Sequence, residues 1–219
     1  MWQLAGLDWA TTATLATAFG TLVLAVATFA AVRSANRATR ISEAAYSVTL
    51  RPVLVTSRPE DTAQKVRWMD DHWVRLEGGQ GTVEFVDGRL YFSISLRNVG
   101  AGLAVPFGWH AHDGTPTLDE YTHAEPDEFR LQQRDLYVAP NDIGFWQAAI
   151  RERDDPDFAW LSQAAMEPRA FLIEIFYGDA DGGQRTITRF GMIPVRFGED
   201  LRWYPSVARH WYLDRPDPR

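Results

Sequence analysis

Hydrophobic and polar positions divide the chain into two regimes. From Ala10 to Val32 the sequence ATTATLATAFGTLVLAVATFAAV runs 23 residues without a charge or a proline. As a helix it would cover about 34 Å, enough to cross a hydrocarbon core of about 30 Å with modest tilt. Ala and Thr fill much of it, and the strongest hydrophobes are Phe19, Leu22, Val23, Leu24, Val26 and Phe29. Thr11, Thr12, Thr14, Thr17, Thr21 and Thr28 can bond back to carbonyls one turn earlier, so their hydroxyls need not stand bare in lipid. A soluble core helix rarely sustains such a run. A cleaved signal peptide needs a basic start and a shorter apolar centre, whereas Asp8 precedes this segment and no Lys or Arg does. The expectation is a single transmembrane helix over 10–32.

Residues 33–51 are rich in helix formers, and Pro52 disfavours helix at the residue before it, so the helix is expected to run on as a stalk. Ala38, Ile41, Ala45 and Val48 form a short seam, and Ala16 with Gly20 a small-xxx-small pair; either is a candidate for self-association into a homo-oligomer. After Pro52 the periodicity changes to short runs of two-residue alternation broken by turn residues. Strands are expected at 52–57, 65–69, 73–77, 82–86, 89–97, 103–111, 136–138, 145–150, 171–177, 185–195 and 203–213. Asp70-Asp71-His72 and Asp87-Gly88 fall at hairpin turns. In 90–96 the alternation places Leu90, Phe92, Ile94 and Leu96 on one face, toward the core. One helix is expected after Pro156, where Asp154, Asp155 and Asp157 precede FAWLSQAAM. The fold class is therefore mainly β: an antiparallel β-sandwich over 52–214 with one short helix, behind a long N-terminal transmembrane helix and ahead of a short tail at 215–219.

Charge orients the picture. Arg33, Arg37, Arg40 and Arg51 follow the apolar run closely, and the Arg-rich flank normally stays cytoplasmic, so the N-terminus is expected outside and the β domain inside, at a plasma (inner) membrane. Trp2 and Trp9 suit an outer interfacial belt. Residues 52–219 carry 18 basic and 27 acidic side chains. An anionic inner leaflet would attract the arginines and repel this domain, which should stand off on its stalk. The acidic balance also excludes nucleic acid as a partner. The chain has no cysteine, which removes thiol nucleophiles, thiolate metal sites and disulfides.

The phrase Ser95-Leu-Arg-Asn-Val-Gly100-Ala-Gly102-Leu-Ala104, together with Tyr177-Gly178-Asp179 and Asp181-Gly182, resembles phrases in uncharacterised bacterial single-pass membrane proteins. That resemblance implies an immunoglobulin-like sandwich facing the cytoplasm, and it implies no catalytic residue.

Chemistry-bearing motifs are sparse. Gly100-Ala-Gly102 follows a strand, but Val105 stands where a dinucleotide fingerprint needs glycine, and a tight turn explains it. Asp179-Ala-Asp181-Gly182 lacks two of the oxygen donors of a calcium loop and reads as a hairpin turn. His110 and His112 share one face of a strand beside Asp113, and with His123 returning from the acidic 113–128 loop they are the weak metal candidates. No nucleophile elbow, zinc-protease helix or phosphate loop occurs, so no cofactor is expected and no catalytic residue is nominated. Trp68 and Trp73 flank a polar turn and are the first candidates for an exposed contact patch. The expected function is a non-enzymatic, membrane-anchored module that recruits or scaffolds an unidentified protein partner. The rivals are an outward-facing carbohydrate- or envelope-binding module and a metal-dependent hydrolase using His110 and His112.

Overall fold

A computed structural model describes residues 9–114 and 122–216, without the side chains of 43–49. Trp2, Asp8 and residues 115–121 of the acidic loop, and the side chains of Ala45 and Val48, lie outside the described residues. The chain divides into two units that meet at Val48 and Thr49.

The first unit is helix α1, Trp9–Thr49. Its stretch Trp9–Ser42 is long and apolar enough to cross a membrane and has no part buried within the protein. Thr14, Thr17, Thr21 and Thr28 donate to the carbonyls of Ala10, Ala13, Thr17 and Leu24 at 2.8–2.9 Å, as expected for hydroxyls in an apolar helix.

The second unit is mainly β and antiparallel. Strands β1 (Leu54–Thr56), β4 (Gly81–Val86), β5 (Arg89–Asn98), β6 (Val105–Asp113), β7 (Arg130–Leu131), β8 (Ile143–Ile150), β9 (Phe171–Gly178), β10 (Arg185–Phe197) and β11 (Asp200–Tyr212) make one nine-stranded sheet. Strands β2 (Gln64–Arg67) and β3 (Trp73–Leu76) form a separate hairpin, and α2 (Phe158–Met166) is the one helix of the unit among the described residues. Along β5, β8 occupies one edge while β4 and β1 share the other. The path continues β11-β10-β9-β6-β7, and the two halves are joined by a single pair, Trp203 with Gly81. A Cβ on Gly81 would lie 2.9 Å from the Ser93 carbonyl, so this residue lets the sheet turn at its seam.

The halves pack face to face. Leu90, Phe92, Ile94 and Leu96 of β5 are all buried in one cluster with Trp109, Trp146, Phe171, Ile173, Ile175, Tyr177, Phe190 and Trp203, closed at one end by Leu161 and Ala164 of α2. The aromatic rings interlock edge to face across it: Phe92 with Phe171 at 6.2 Å, Trp109 with Trp146 at 5.7 Å, and Phe171 with Trp203 at 5.6 Å. The Tyr177 hydroxyl accepts from the Leu54 amide of the other half at 3.0 Å and lies 3.0 Å from the Thr188 hydroxyl; burial pushes its pKa up to about 12.

Boundaries differ from the expected strands mainly at the ends. Residues 136–138 contribute only an isolated bridge, Ala104 with Val138, and the short β7 has no counterpart in the sequence reading. Asp87 and Gly88 both have positive φ, 50° and 74°, as the two-residue turn requires. Gly100 and Gly102 serve a different purpose from the tight strand turn first read there. A Cβ at Gly102 would fall 1.8 Å from the Leu50 carbonyl oxygen, and one at Gly100 2.1 Å from that of Arg51, so these positions admit the incoming chain against the β5–β6 loop. Arg51 is itself buried, ion-paired to Asp214 and stacked 4.5 Å over the Tyr212 ring.

Gly102→Ala is therefore expected to destabilise the β domain by roughly 3 kcal/mol, whereas Gly183→Ala, with only an ordinary contact at 3.9 Å, should change stability by less than about 0.5 kcal/mol. Denaturant unfolding of the full chain in detergent, followed by tryptophan fluorescence, checks both.

Candidate functional site

Two regions carry the residues singled out in the sequence. The first is the β2–β3 hairpin, which lies over the outer face of β5 and β8. Trp68 is buried at 3% exposure, packs edge-on against Tyr91 at 5.3 Å and donates its indole N–H to the Ala148 carbonyl at 3.0 Å. It is thus part of the hairpin's own core, with Val66, Leu76, Tyr91 and Ala149, and offers no contact surface. Trp73 is 53% exposed with the Arg67 guanidinium 5.2 Å from its ring centre, and Met69 is 84% exposed.

The hairpin tip is held by Asp70. Its Oδ2 accepts from Tyr91 Oη at 2.8 Å, from Arg151 Nε at 3.0 Å and from Arg89 at 3.4 Å. Burial pushes this carboxyl up, but the hydrogen bonds from Arg151 and Tyr91 outweigh it and hold the pKa near 2, below the ordinary 3.8. His72 stacks on Tyr91 at 4.0 Å and meets Glu84 Oε2 at 2.8 Å.

The second region is the outer face of β6, β9 and β10. The pleat of β6 sends Trp109 and Ala111 into the core and leaves His110 and His112 outside, where Glu174 of β9 stands directly across from His110 and Arg189 of β10 directly across from Glu174. Glu174 is fully buried and Arg189 is 4% exposed. Arg189 binds Glu174 Oε1 through Nε at 2.8 Å and through a second nitrogen at 2.6 Å, and it also donates to the Thr122 carbonyl at 2.6 Å. Glu174 Oε2 accepts the Ala124 amide at 3.0 Å and lies 3.2 Å from His112 Nε2, which in turn lies 3.2 Å from His110 Nδ1. Burial raises the Glu174 carboxyl, but the hydrogen bonds from His112 and Ala124 and the charges of His112 and Arg189 overcome it, so the group sits below its ordinary value. Burial and the nearby His112 lower the His110 pKa below its ordinary value.

His123 does not join this group. Its Nδ1 lies 2.7 Å from the Ala124 carbonyl and its ring packs edge-on to Trp211 at 5.5 Å. Sequence reasoning reached His110 and His112 and missed Glu174 and Arg189. The available signal was a lone carboxylate in Phe171-Leu-Ile-Glu174-Ile-Phe-Tyr177, a strand otherwise apolar on both faces, and such a charge is retained only with a partner. Chemically the cluster offers two imidazoles and one carboxylate oxygen converging on one point, set by three adjacent strands.

What fold and cluster define is a class: an antiparallel β-sandwich behind a long apolar helix, with a partly buried acid–base row on its outer face. No family model, curated protein or solved structure matches the chain.

Because folding lowers the Asp70 pKa, its contribution to stability is complete above about pH 4 and fades as pH falls through 3.8 toward 2. Asp70→Asn should lower the thermal midpoint at neutral pH, and its gap from the wild type should close across that acid window, measured by calorimetry at a series of pH values.

Proposed function

We propose that the chain is a membrane-anchored, non-enzymatic interaction module whose β-sandwich recruits or scaffolds a protein partner at the cytoplasmic face of a bacterial inner membrane. The observation that carries this reading is the helix Trp9–Ser42, apolar, unburied and threaded with self-satisfied threonines. Among the described residues no part of this apolar surface is buried, and lipid is the solvent that would make such a length stable. Arg33, Arg37 and Arg40, all exposed, follow the charge-free run 10–32 and favour retention of that flank in the cytoplasm. The resemblance to single-pass proteins with a cytoplasmic immunoglobulin-like sandwich agrees with this orientation.

The partner surface is assigned to the hairpin tip, where Met69 on the turn and Trp73 at the start of β3 stand exposed beside Asp70, which fixes the turn. Large apolar side chains on a rigid tip contribute contact area at low entropic cost. Self-association through α1 is a second contact mode: a Cβ at Gly20 would meet nothing within 4 Å, so this face of the helix is open to a close neighbour.

Alkaline carbonate should leave the full-length chain in the membrane pellet. A C-terminal alkaline phosphatase fusion should be inactive while a fluorescent reporter that matures only in the cytosol is bright; extraction by carbonate removes the anchor, and an active phosphatase reverses the orientation in favour of an envelope-binding role.

A further inference from the structure

We propose that His110 Nδ1, His112 Nε2 and Glu174 Oε2 form a binding site for one divalent first-row transition ion, with zinc the reference ligand, leaving at least one coordination position open to solvent. This goes beyond the interaction role and does not depend on it.

The geometry carries the proposal. These three atoms lie within 4.8 Å of one another, and His112 Nε2 is 3.2 Å from each of the other two. Zinc held at about 2.0–2.2 Å by nitrogen and oxygen ligands at tetrahedral or octahedral angles keeps neighbouring ligand atoms about 3.0–3.5 Å apart. Hydrogen bonding alone leaves the cluster incompletely satisfied. His112 Nε2 carries at most one proton, and it lies 3.2 Å from both Glu174 Oε2 and His110 Nδ1, so a single N–H cannot serve both contacts. A cation at the centre meets all three lone pairs at once.

The surroundings are those of a supported ligand set. Glu174 is fixed by Arg189 on one oxygen and by the Ala124 amide on the other, the arrangement by which outer partners orient a ligating carboxylate. The two histidines sit on a strand paired along its length with the strand that carries Glu174, so the donors are preorganised by the sheet. His112 retains 25% side-chain exposure while Glu174 has none, so the site opens on the histidine side.

The donor set selects the ion class. Two imidazoles and a carboxylate suit zinc, iron(II), cobalt(II) or manganese(II), whereas calcium and magnesium prefer all-oxygen shells and copper(I) prefers sulfur. Three protein ligands with an open position is also the arrangement in which a bound water becomes acidic, the one feature of the molecule that speaks for the hydrolase rival.

The test uses full-length chain in detergent with any affinity tag removed, stripped by chelator and titrated with zinc by calorimetry, then with cobalt followed by visible absorption. One equivalent should bind, and cobalt should give the intense ligand-field bands of low coordination with imidazole. His110→Ala and His112→Ala should each weaken binding by more than about tenfold, and His123→Ala should leave it unchanged. Zinc should also protect His110 and His112, but not His72, from acylation in the unsubstituted chain, a readout that stands even if a variant misfolds. Absence of a stoichiometric site in folded protein, equal loss in His123→Ala, or no selective protection overturns the proposal.

Discussion

Strand β5 is covered on both faces, and much of the domain follows from that requirement. Its odd and even side chains alike are buried from Leu90 to Leu96. One face meets the second half of the sheet across the aromatic core. The other carries Tyr91, Ser93 and Ser95 and must be shielded by something other than a sheet, because the sheet has already been used. The β2–β3 hairpin supplies that shield, and Trp68 and Tyr91 join it to the strand beneath. Ser93 and Ser95 remain tolerable there because each hydroxyl finds another, Thr82 and Ser57, at 2.6 Å. A hairpin of two four-residue strands is marginal alone. Its attachment at Asp70, with a Tyr and two Arg donors, is what keeps it seated.

The same problem is solved differently on the other half. The outer face of β9 and β10 is covered by the returning loop around 122–129, and the contact combines a small apolar cluster of Ala124, Phe129, Ile187 and Trp211 with the Glu174–Arg189 pair. Taking two ions out of water costs several kcal/mol each, and a buried pair seldom repays that cost over apolar residues of equal volume. What the pair adds is direction: Arg189 reaches the Thr122 carbonyl and Glu174 the Ala124 amide, so the loop is fixed in one register by groups an apolar substitute lacks. A face that needs only shielding has little use for such a pair, whereas one that must hold two histidines at 3.2 Å has a use for every one of these bonds.

Local signals were legible in the sequence and long-range ones were not. Two-residue alternation in 90–96 assigned the core face of β5 correctly, and Asp87-Gly88 named its turn, because each depends on neighbours a few positions away. Alternation could not reveal that the opposite face of β5 is also buried, since its cover comes from the β2–β3 hairpin and Ser95 is satisfied by Ser57, both outside the β4–β5 hairpin. Trp68 and Trp73 look alike on either side of one turn, and only the hairpin's placement over Tyr91 separates a buried indole from an exposed one. Gly100 and Gly102 announce tight geometry without saying what approaches; the approach is by Leu50 and Arg51, half a hundred residues earlier. Glu174 and His110 meet because β6 and β9 pair, a register that sequence spacing does not encode.

Arg51 bears on how orientation should be argued. By position it belongs with the basic residues after the apolar helix, but its side chain is 5% exposed, its charge is matched by Asp214, and its guanidinium lies over Tyr212. A cation neutralised inside a folded domain exerts little field on a membrane surface and does not count toward retention of a flank. The proposed orientation therefore rests on Arg33, Arg37 and Arg40, exposed along α1 within about two turns of the charge-free run 10–32. Each such residue near an anionic leaflet contributes about 1 kcal/mol. Three of them against none before the helix is a smaller margin than the raw count, but the asymmetry behind the proposed orientation keeps its sign, and Arg51 belongs with the unit that begins at Thr49.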